Sequence, residues 1–490
     1  MIRRLGPWLL WPAALVALGV AIETHELFED TRFAMHRDPQ LMPSTRAVPR
    51  QYLAAGQPVL SVFTSEADLH DPERGILAHP TARGRDWERF AYVSYFDEGT
   101  LRLATGAGLR VHGGRSRVGS LNKSFAVFFR RRYGATPDAH LFFSGPPGPL
   151  RRVIAHNDVR HDRTGREWHF VNPLAYEIAD RIGAIVTRTR PMRFFLNGEL
   201  QGVYVLTEHI GPEFLEARFG HSEFGIEDEG NPPRLLDWAR ALQPMTAAAV
   251  SQEVDLDNLT RWALSILFCG TTDIWQGQLA RNARDEQSRW FWINWDMDHS
   301  FMDLYQRAPN PWEVDTYRSL LGAKPDPRSV ILTRLFEEDP AYRQRFAGML
   351  ADLLNHRLMP AYLGSRLDHY RLTAAMYGLE DTAFLDIIEQ FFEHRPAALR
   401  SLTQTYLKVG TPSAVTVQVP GGRLLAIDGY PVTGSYRGVY FPETPVTVEV
   451  PVEHRQAFSG WIVNGKAAGT DPRLTMAVTS ETSITPRFQE

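Results

Sequence analysis

The hydrophobic pattern divides the chain into three textures. Between residues 58 and 134, apolar and polar positions alternate in short β-branched and aromatic runs, which is the period of strands. PVLSVFT (58–64) predicts one strand, and RFAYVSYF (89–96) with TLRLAT (100–105) predicts a hairpin. GLRVHG and SFAVFFR, within residues 108–134, predict two more strands joined by the loop GGRSRVGSLNK, and Arg130–Arg132 reads as an exposed strand end. FVNPLAYEIADRIG (170–183) carries Leu174, Ile178 and Ile182 at helical spacing, with Asn172 and Pro173 as a cap and first-turn pair. RPMRFFLNGELQGVYVLTEHI (190–210) reads as two strands turned at Asn197-Gly198, a strong hairpin signal. LTRWALSILFCGTTD (259–273) has the length of a helix, and RWFWINW (289–295) reads as a buried strand. From Ser329 the spacing turns helical, with a break at Asp339-Pro340. From Val409 alternation returns between Gly/Pro turns and predicts a small all-β module with Phe458 and Trp461 in its core.

Composition changes this picture little. The 490 residues allow two or three domains, and 43% hydrophobic with 22% charged residues is ordinary for folded protein. A net charge of −4 gives no general case for nucleic-acid binding. One cysteine, Cys269, excludes an intrachain disulfide and a cysteine-rich metal site, and its apolar surroundings place it in a core. The start matters more. Arg3 and Arg4 precede GPWLLWPAALVALGVAI, an apolar run at the short limit of a membrane span. Residues 1–23 therefore read as a signal anchor, favoured over a cleaved signal peptide. Residues 24–55, with Pro39, Pro43 and Pro49, read as a tether. The expected location is membrane-anchored or secreted, with the main domains outside the cytoplasm.

Candidate chemistry concentrates in TTDIWQGQLARNARDEQSRWFWINWDMDHSFMD (271–303). It gathers Asp273, Asn282, Asp296 and Asp298 around one predicted buried strand. Acids at a strand end serve either as turn and cap residues or as ligands of a hard divalent cation that holds phosphates. His299 follows the acids and reads as a packed or capping residue. The loop GGRSRVGSLNK offers Arg115, Arg117 and Lys123 among glycines and serines. Such a loop is either a phosphate cradle or a solvated turn. Glu208, at the end of a predicted strand, either orients a phosphate-binding lysine or is a cap or surface residue.

GLRVHGGRSR followed by KSFAVFF, then FLNGELQGVYVLTEHI, then the D…N…WDMDHSF stretch, occur in an order that resembles the CotH-type spore-coat kinases. SVFTSEADLHDPERGILAH is similar to the start of bacterial members, and the likeness spans residues 57 to 400. It implies an α+β, atypical protein kinase-like two-lobed domain over 56–407, ATP with Mg²⁺ or Mn²⁺, and phosphorylation of Ser or Thr in a protein acceptor. Carried over by position, the resemblance makes Asp273 the catalytic base or acceptor-positioning acid. Asp296 becomes the metal ligand, with Asn282 and Asp298 as helpers. Lys123, paired with Glu208, becomes the nucleotide contact, with Arg115 beside it. The tail (408–490) is similar to internalin B-repeat modules, which act as spacers or interaction units. Two alternatives stand beside the kinase: a non-catalytic envelope scaffold that keeps the fold, and a nucleotidyl or other phosphoryl-group transferase at the same site.

Overall fold

The computed structural model describes residues 48–489, except 120–121, 163, 229–232, 275, 283, 286, 306–307, 323–325, 420 and 422. The proposed anchor (1–23) and most of the tether lie outside the described residues. Among the described residues no helix is long and apolar enough to cross a membrane. The chain mixes α and β structure and divides into two compact units. One comprises the residues up to Pro137 with Arg151–His156 and Arg193–Gly202. The other comprises Asp138–Leu150, Asn157–Met192 and everything from Val203.

The first unit is a sheet closed on itself. Strands β1 (Val59–Phe63), β2 (Arg89–Asp97), β3 (Thr100–His112), β4 (Ser124–Phe128) and β5 (Arg152–His156) run in barrel order, and a later hairpin completes the closure. Residues 100–105 and 108–112, expected as separate strands, form the single long strand β3. Gly106 and Gly108 do not break it. A Cβ at Gly106 would lie 2.3 Å from the Tyr133 carbonyl oxygen, and one at Gly108 would lie 2.6 Å from Glu88 Oε1. Glycine is there for close approach, not for a turn. The group that needs the space is Glu88, which is fully buried. Its carboxylate accepts from Arg130 at 2.7 and 2.9 Å, from Arg110 at 3.0 Å and from the Tyr133 hydroxyl at 2.9 Å. Arg132 stands 3.4 Å away. The Arg130–Arg132 run is exposed at Arg131 and Arg132, as expected, but Arg130 is half-buried and both Arg130 and Arg132 are drawn to one buried carboxylate.

Two short paired strands, β6 (Arg160–His161) and β7 (Glu167–Trp168), precede helix α1 (Val171–Ile182). Strands β8 (Thr189–Leu196) and β9 (Glu199–Glu208) form the expected hairpin, with Asn197 and Gly198 both at positive φ, as a type I′ turn requires. Its tip belongs to the first unit and its base to the second.

The second unit is mostly helical. After α2 (Pro212–Phe219) comes a three-stranded antiparallel sheet in the order β10 (Phe224–Asp228), β11 (Gln278–Asn282), β12 (Phe291–Ile293). Between its strands the chain forms α3 (Pro233–Ala241) and α4 (Leu256–Cys269). Helix α4 starts at Asp255, whose side chain caps Asn258 N, and stops at Gly270, which takes the left-handed turn. Twelve of its residues are buried, Cys269 among them. Helices α5 (Thr316–Gly322), α6 (Pro327–Glu338), α7 (Pro340–Asp352), α8 (Pro360–Tyr377) and α9 (Ala383–Leu407) pack around it in one core. The expected break falls between α6 and α7, where Asp339 caps Tyr342 N.

The tail strands form two further sheets. One has the order β16 (Tyr436–Tyr440), β13 (Ser413–Val417), β21 (Thr482–Phe488), β18 (Phe458–Val463), β19 (Lys466–Ala467). The other has the order β15 (Tyr430–Thr433), β14 (Leu424–Ile427), β17 (Pro445–Glu449), β20 (Arg473–Ala477). Trp461 is buried and stands 5.0 Å from the Phe458 ring. The apolar side chains of these sheets belong to the same core cluster as the helices.

Candidate active site

The site is built where α4 ends and β12 ends. Asn258 ties the two together: its Oδ1 accepts from Trp292 N at 2.6 Å, and its Nδ2 donates to Trp292 O at 3.0 Å. The side chain thereby acts as one more strand residue. Two residues beyond Trp292, Asn294 Nδ2 donates to Ser265 Oγ at 2.8 Å. The segment after α4 then lies along the segment after β12. Phe301 N donates to Cys269 O at 2.8 Å, and the hydroxyls of Thr271 and Ser300 pair at 2.8 Å. These bonds fix Asp273, from the helix side, beside Asp296, from the strand side.

Asp296 sits at φ +54° with its amide donated to the Tyr176 hydroxyl of α1 at 2.9 Å. Aspartate is among the few residue types that tolerate this left-handed region, and the Tyr176 hydroxyl holds it there. Burial pushes the Asp296 carboxyl above its ordinary value; Arg160 opposes the shift, and Asp273 adds to it. Asp273 is half-buried, and its Oδ2 accepts from Gln276 Nε2 at 3.2 Å. The Gln276 carbonyl is in turn held by Arg328 at 3.1 Å. Asp298 is buried and forms an ion pair with Arg160. His299 lies 3.9 Å from Asp298, and burial lowers its pKa.

A fourth acid joins the group. Asp158 follows β5, is buried, and accepts from Asn172 Nδ2 at 2.7 Å. Burial pushes its carboxyl up to about 7, against the pull of Asn172 and Arg160, with Asp296 adding to the rise. Sequence reasoning missed Asp158, Arg160 and Tyr176, and took Asn172 for a helix cap. The observed N-cap residue of α1 is Phe170, at φ +60° and without a side-chain bond. The missed signal was HNDVR, three polar residues directly after an apolar strand.

The other expected residues separate. Asn282 stands at the far end of β11, whose opposite end pairs Gln278 with Ile293 next to the acids. Asn282 Oδ1 accepts from Arg284 N at 3.0 Å, so it shapes the hairpin tip instead of joining Asp273 and Asp296. Glu208 is buried, and both its oxygens are taken by arginines: Arg188 at 3.0 Å and, on the other oxygen, a second Arg188 bond, with Arg218 at 3.1 Å. In the first unit, Arg115 is exposed in the loop before a single helical turn, Ser116–Gly119, and Lys123 is half-buried before β4. Arg117 donates to the carbonyls of Gly113, Pro80 and Ala82, which shapes the loop. Next to this loop His112 is pushed down to about 3 by burial and then by His156, Arg152, Arg117 and Arg83. That excess of positive charge suits an anion.

The acids fit a divalent cation completed by phosphate oxygens. Among the described residues no three His, Cys, Asp or Glu side chains form a metal cage by themselves. Mg²⁺ asks for less: one or two carboxylates, with water and phosphates filling the rest. The buried Asn172 Oδ1, on the residue bound to Asp158, Thr272 Oγ1, next to Asp273, and His299 Nδ1, next to Asp298, have no hydrogen-bond partner. Such orphaned atoms call for water or an ion.

Asp273 and Asp296, both half-buried, thus stand at a helix terminus and a strand end that are fastened together. The family model described as CotH kinase protein matches residues 110–243 and 235–397, and this chain belongs to that family. The family implies ATP and a divalent metal in general. No curated protein matches. Among solved structures, a Helicobacter pylori proinflammatory kinase, CtkA, aligns with 61% of this chain and 95% of its own at 10% identity. The TM-score of 0.30 is too low for that likeness to carry an argument.

Proposed function

We propose that the chain transfers the γ-phosphoryl group of ATP to Ser or Thr of a protein acceptor, with Mg²⁺ or Mn²⁺. The observation that supports this most is the pairing of Asp273 with Asp296 through Asn258 and Asn294. The bound cation supplies neutralisation of the phosphate oxygens. Asp296 is the residue to hold it, pre-set by the Tyr176 hydroxyl. Asp273, half-buried and steadied by Gln276, is the residue to accept or orient the acceptor hydroxyl proton. Asp298 acts through Arg160 as a positioning pair. Lys123 and Arg115 are the proposed nucleotide contacts of the first unit. In this reading the kinase-like domain is two-lobed, the tail is an all-β module, and residues 1–23 anchor the protein with its domains outside the cytoplasm.

The test is label transfer to a Ser-rich acceptor from γ-³²P-ATP and, separately, from α-³²P-ATP. Transfer from the γ label alone, lost in EDTA, is the expected result. Asp273→Asn and Asp296→Asn should each reduce it by about 100-fold or more with the fold intact. Transfer from the α label would make the protein a nucleotidyl transferase. Full activity in either variant would refute the assigned roles.

A further inference from the structure

A second concave site lies away from the acids, where the tail strands meet the helices. It has a volume of about 610 Å³, within the range of small-molecule pockets. Its apolar lining comes from Ile182, Leu264, Met349, Leu353 and Pro445. Its charged lining comes from Arg261, Arg345 and Arg357, with Asp352 and Asp428.

Most of these charges already have partners. Asp428 accepts from Thr447 N at 2.8 Å and from the Tyr440 hydroxyl at 2.7 Å, and His356 stands 3.3 Å away. Asp352 is 3.3 Å from Arg357, whose Nε also donates to the Tyr430 hydroxyl at 3.0 Å. Arg345 pairs with Asp257. Arg261 differs. Its side chain lies over Gly183, with Cδ 3.4 Å from the position a Cβ would take there. Its guanidinium has no hydrogen-bond or ion-pair partner among the described residues. The cavity therefore offers an apolar body and, in Arg261, one guanidinium without a partner among the described residues.

The wall is built, not incidental. Residues Leu353–Arg357 form a π-helical turn at the end of α7, a distortion that recurs at functional sites. The turn puts His356 between the rings of Tyr430 and Tyr436, at 4.5 and 5.4 Å and nearly parallel to both. The same turn aims Asn355 at the backbone of Val439, which it meets with both side-chain atoms. The floor is α4, and Leu264 is next to Ser265, which holds Asn294.

We propose that this cavity binds an amphipathic organic anion, an apolar chain or ring carrying one carboxylate or phosphate, with Arg261 receiving the charge. The tail is then one wall of a ligand site and more than a spacer. The site is separate from the acids, and its test reads binding alone, so it stands or falls independently of phosphoryl transfer.

The experiment uses the full chain and 8-anilinonaphthalene-1-sulfonate, an aromatic sulfonate whose fluorescence reports binding. Decanoate should displace it, while decanol and inorganic phosphate at the same concentration should not. Arg261→Gln should weaken binding by about tenfold or more, and Arg261→Lys by no more than about threefold. Gly348→Leu fills the cavity from its α7 wall, where the added Cβ meets only Thr444 Cγ2 at 3.5 Å. It should abolish binding with the circular dichroism unchanged. Wild-type affinity in Arg261→Gln or Gly348→Leu would overturn the proposal, as would decanol competing as well as decanoate.

Discussion

Asp158 is the side chain whose replacement most directly tests the electrostatics of the site. It is wholly buried, and burial raises its carboxyl from 3.8 to about 7. An acid whose folded-state pKa is raised costs stability as pH rises. Below about pH 4 both folded and unfolded states are protonated and there is no penalty. Between about 4 and 7 the unfolded chain ionises while the folded one resists, and the penalty grows. Above about 7 it is complete. With about 1.4 kcal/mol per pKa unit, the full penalty is about 4 kcal/mol. Asp158→Asn removes it, because an amide cannot ionise, and the amide oxygen still accepts from Asn172 Nδ2. In EDTA, the variant and the parent should unfold at similar denaturant concentrations near pH 4. The variant should then gain steadily to near pH 8. Groups remote from Asp158 titrate equally in both proteins, so the difference reports Asp158 together with its coupling to Asp296. Parallel stability curves, or a variant that is the weaker protein at pH 8, would refute the argument. In the proposed reading, a cation bound at Asp296 would offset that cost.

Other outcomes follow from the same structure. Glu88 is held down to about 2 despite its burial, by Arg130 and Arg110. Its ion pairs therefore contribute stability above about pH 4.5 that is lost as pH falls toward 2, on the order of 3 kcal/mol. Glu88→Gln should flatten that acid limb in melts followed by circular dichroism, and an unchanged limb would contradict it. Asn258→Ala strands the N–H and C=O of Trp292, so it should cost about 2 to 5 kcal/mol in urea unfolding. It should also lower transfer activity more than an equally destabilising change remote from the acids, such as Trp461→Ala; equal losses would show that the clamp does not position Asp273 and Asp296. Trp461→Ala itself should cost about 3 to 5 kcal/mol, since it empties a buried site and leaves the Asp471 carbonyl without its indole donor. Less than 1 kcal/mol in calorimetry would mean that the tail sheets are loosely packed.

What the sequence disclosed and what it hid divide along a physical line. Local signals were legible because their cause is local. Asn197-Gly198 needs two positive φ angles, Asp339-Pro340 needs a helix boundary, and the run around Cys269 needs a core, and each is found. The acids Asp273 and Asp296 were legible through a resemblance in order and spacing, and the fold brings them together. Non-local demands were not legible. Nothing near Arg130 in the chain announces that a carboxylate 42 residues earlier will bury itself among arginines. Nothing beside Gly106 says that the carbonyl of Tyr133 will approach. Asn172 looked like a cap because Asn before Pro often is one; its amide instead serves Asp158, across a turn of chain whose course only the packing of β6, β7 and α1 decides. Asn282 stands apart from the acids for the converse reason. Its distance along the chain from Asp273 was short, but β11 runs away from the acids, and each residue of an extended strand adds about 3.3 Å. A strand converts small separations in sequence into large ones in space, whereas a helix cap and a strand end, fastened by Asn258 and Asn294, bring acids 23 residues apart near enough to influence each other. The site is therefore best read as a consequence of the α4–β12 clamp, and the residues that make that clamp, Asn258, Ser265 and Asn294, have as strong a claim to experiment as the acids they bring together.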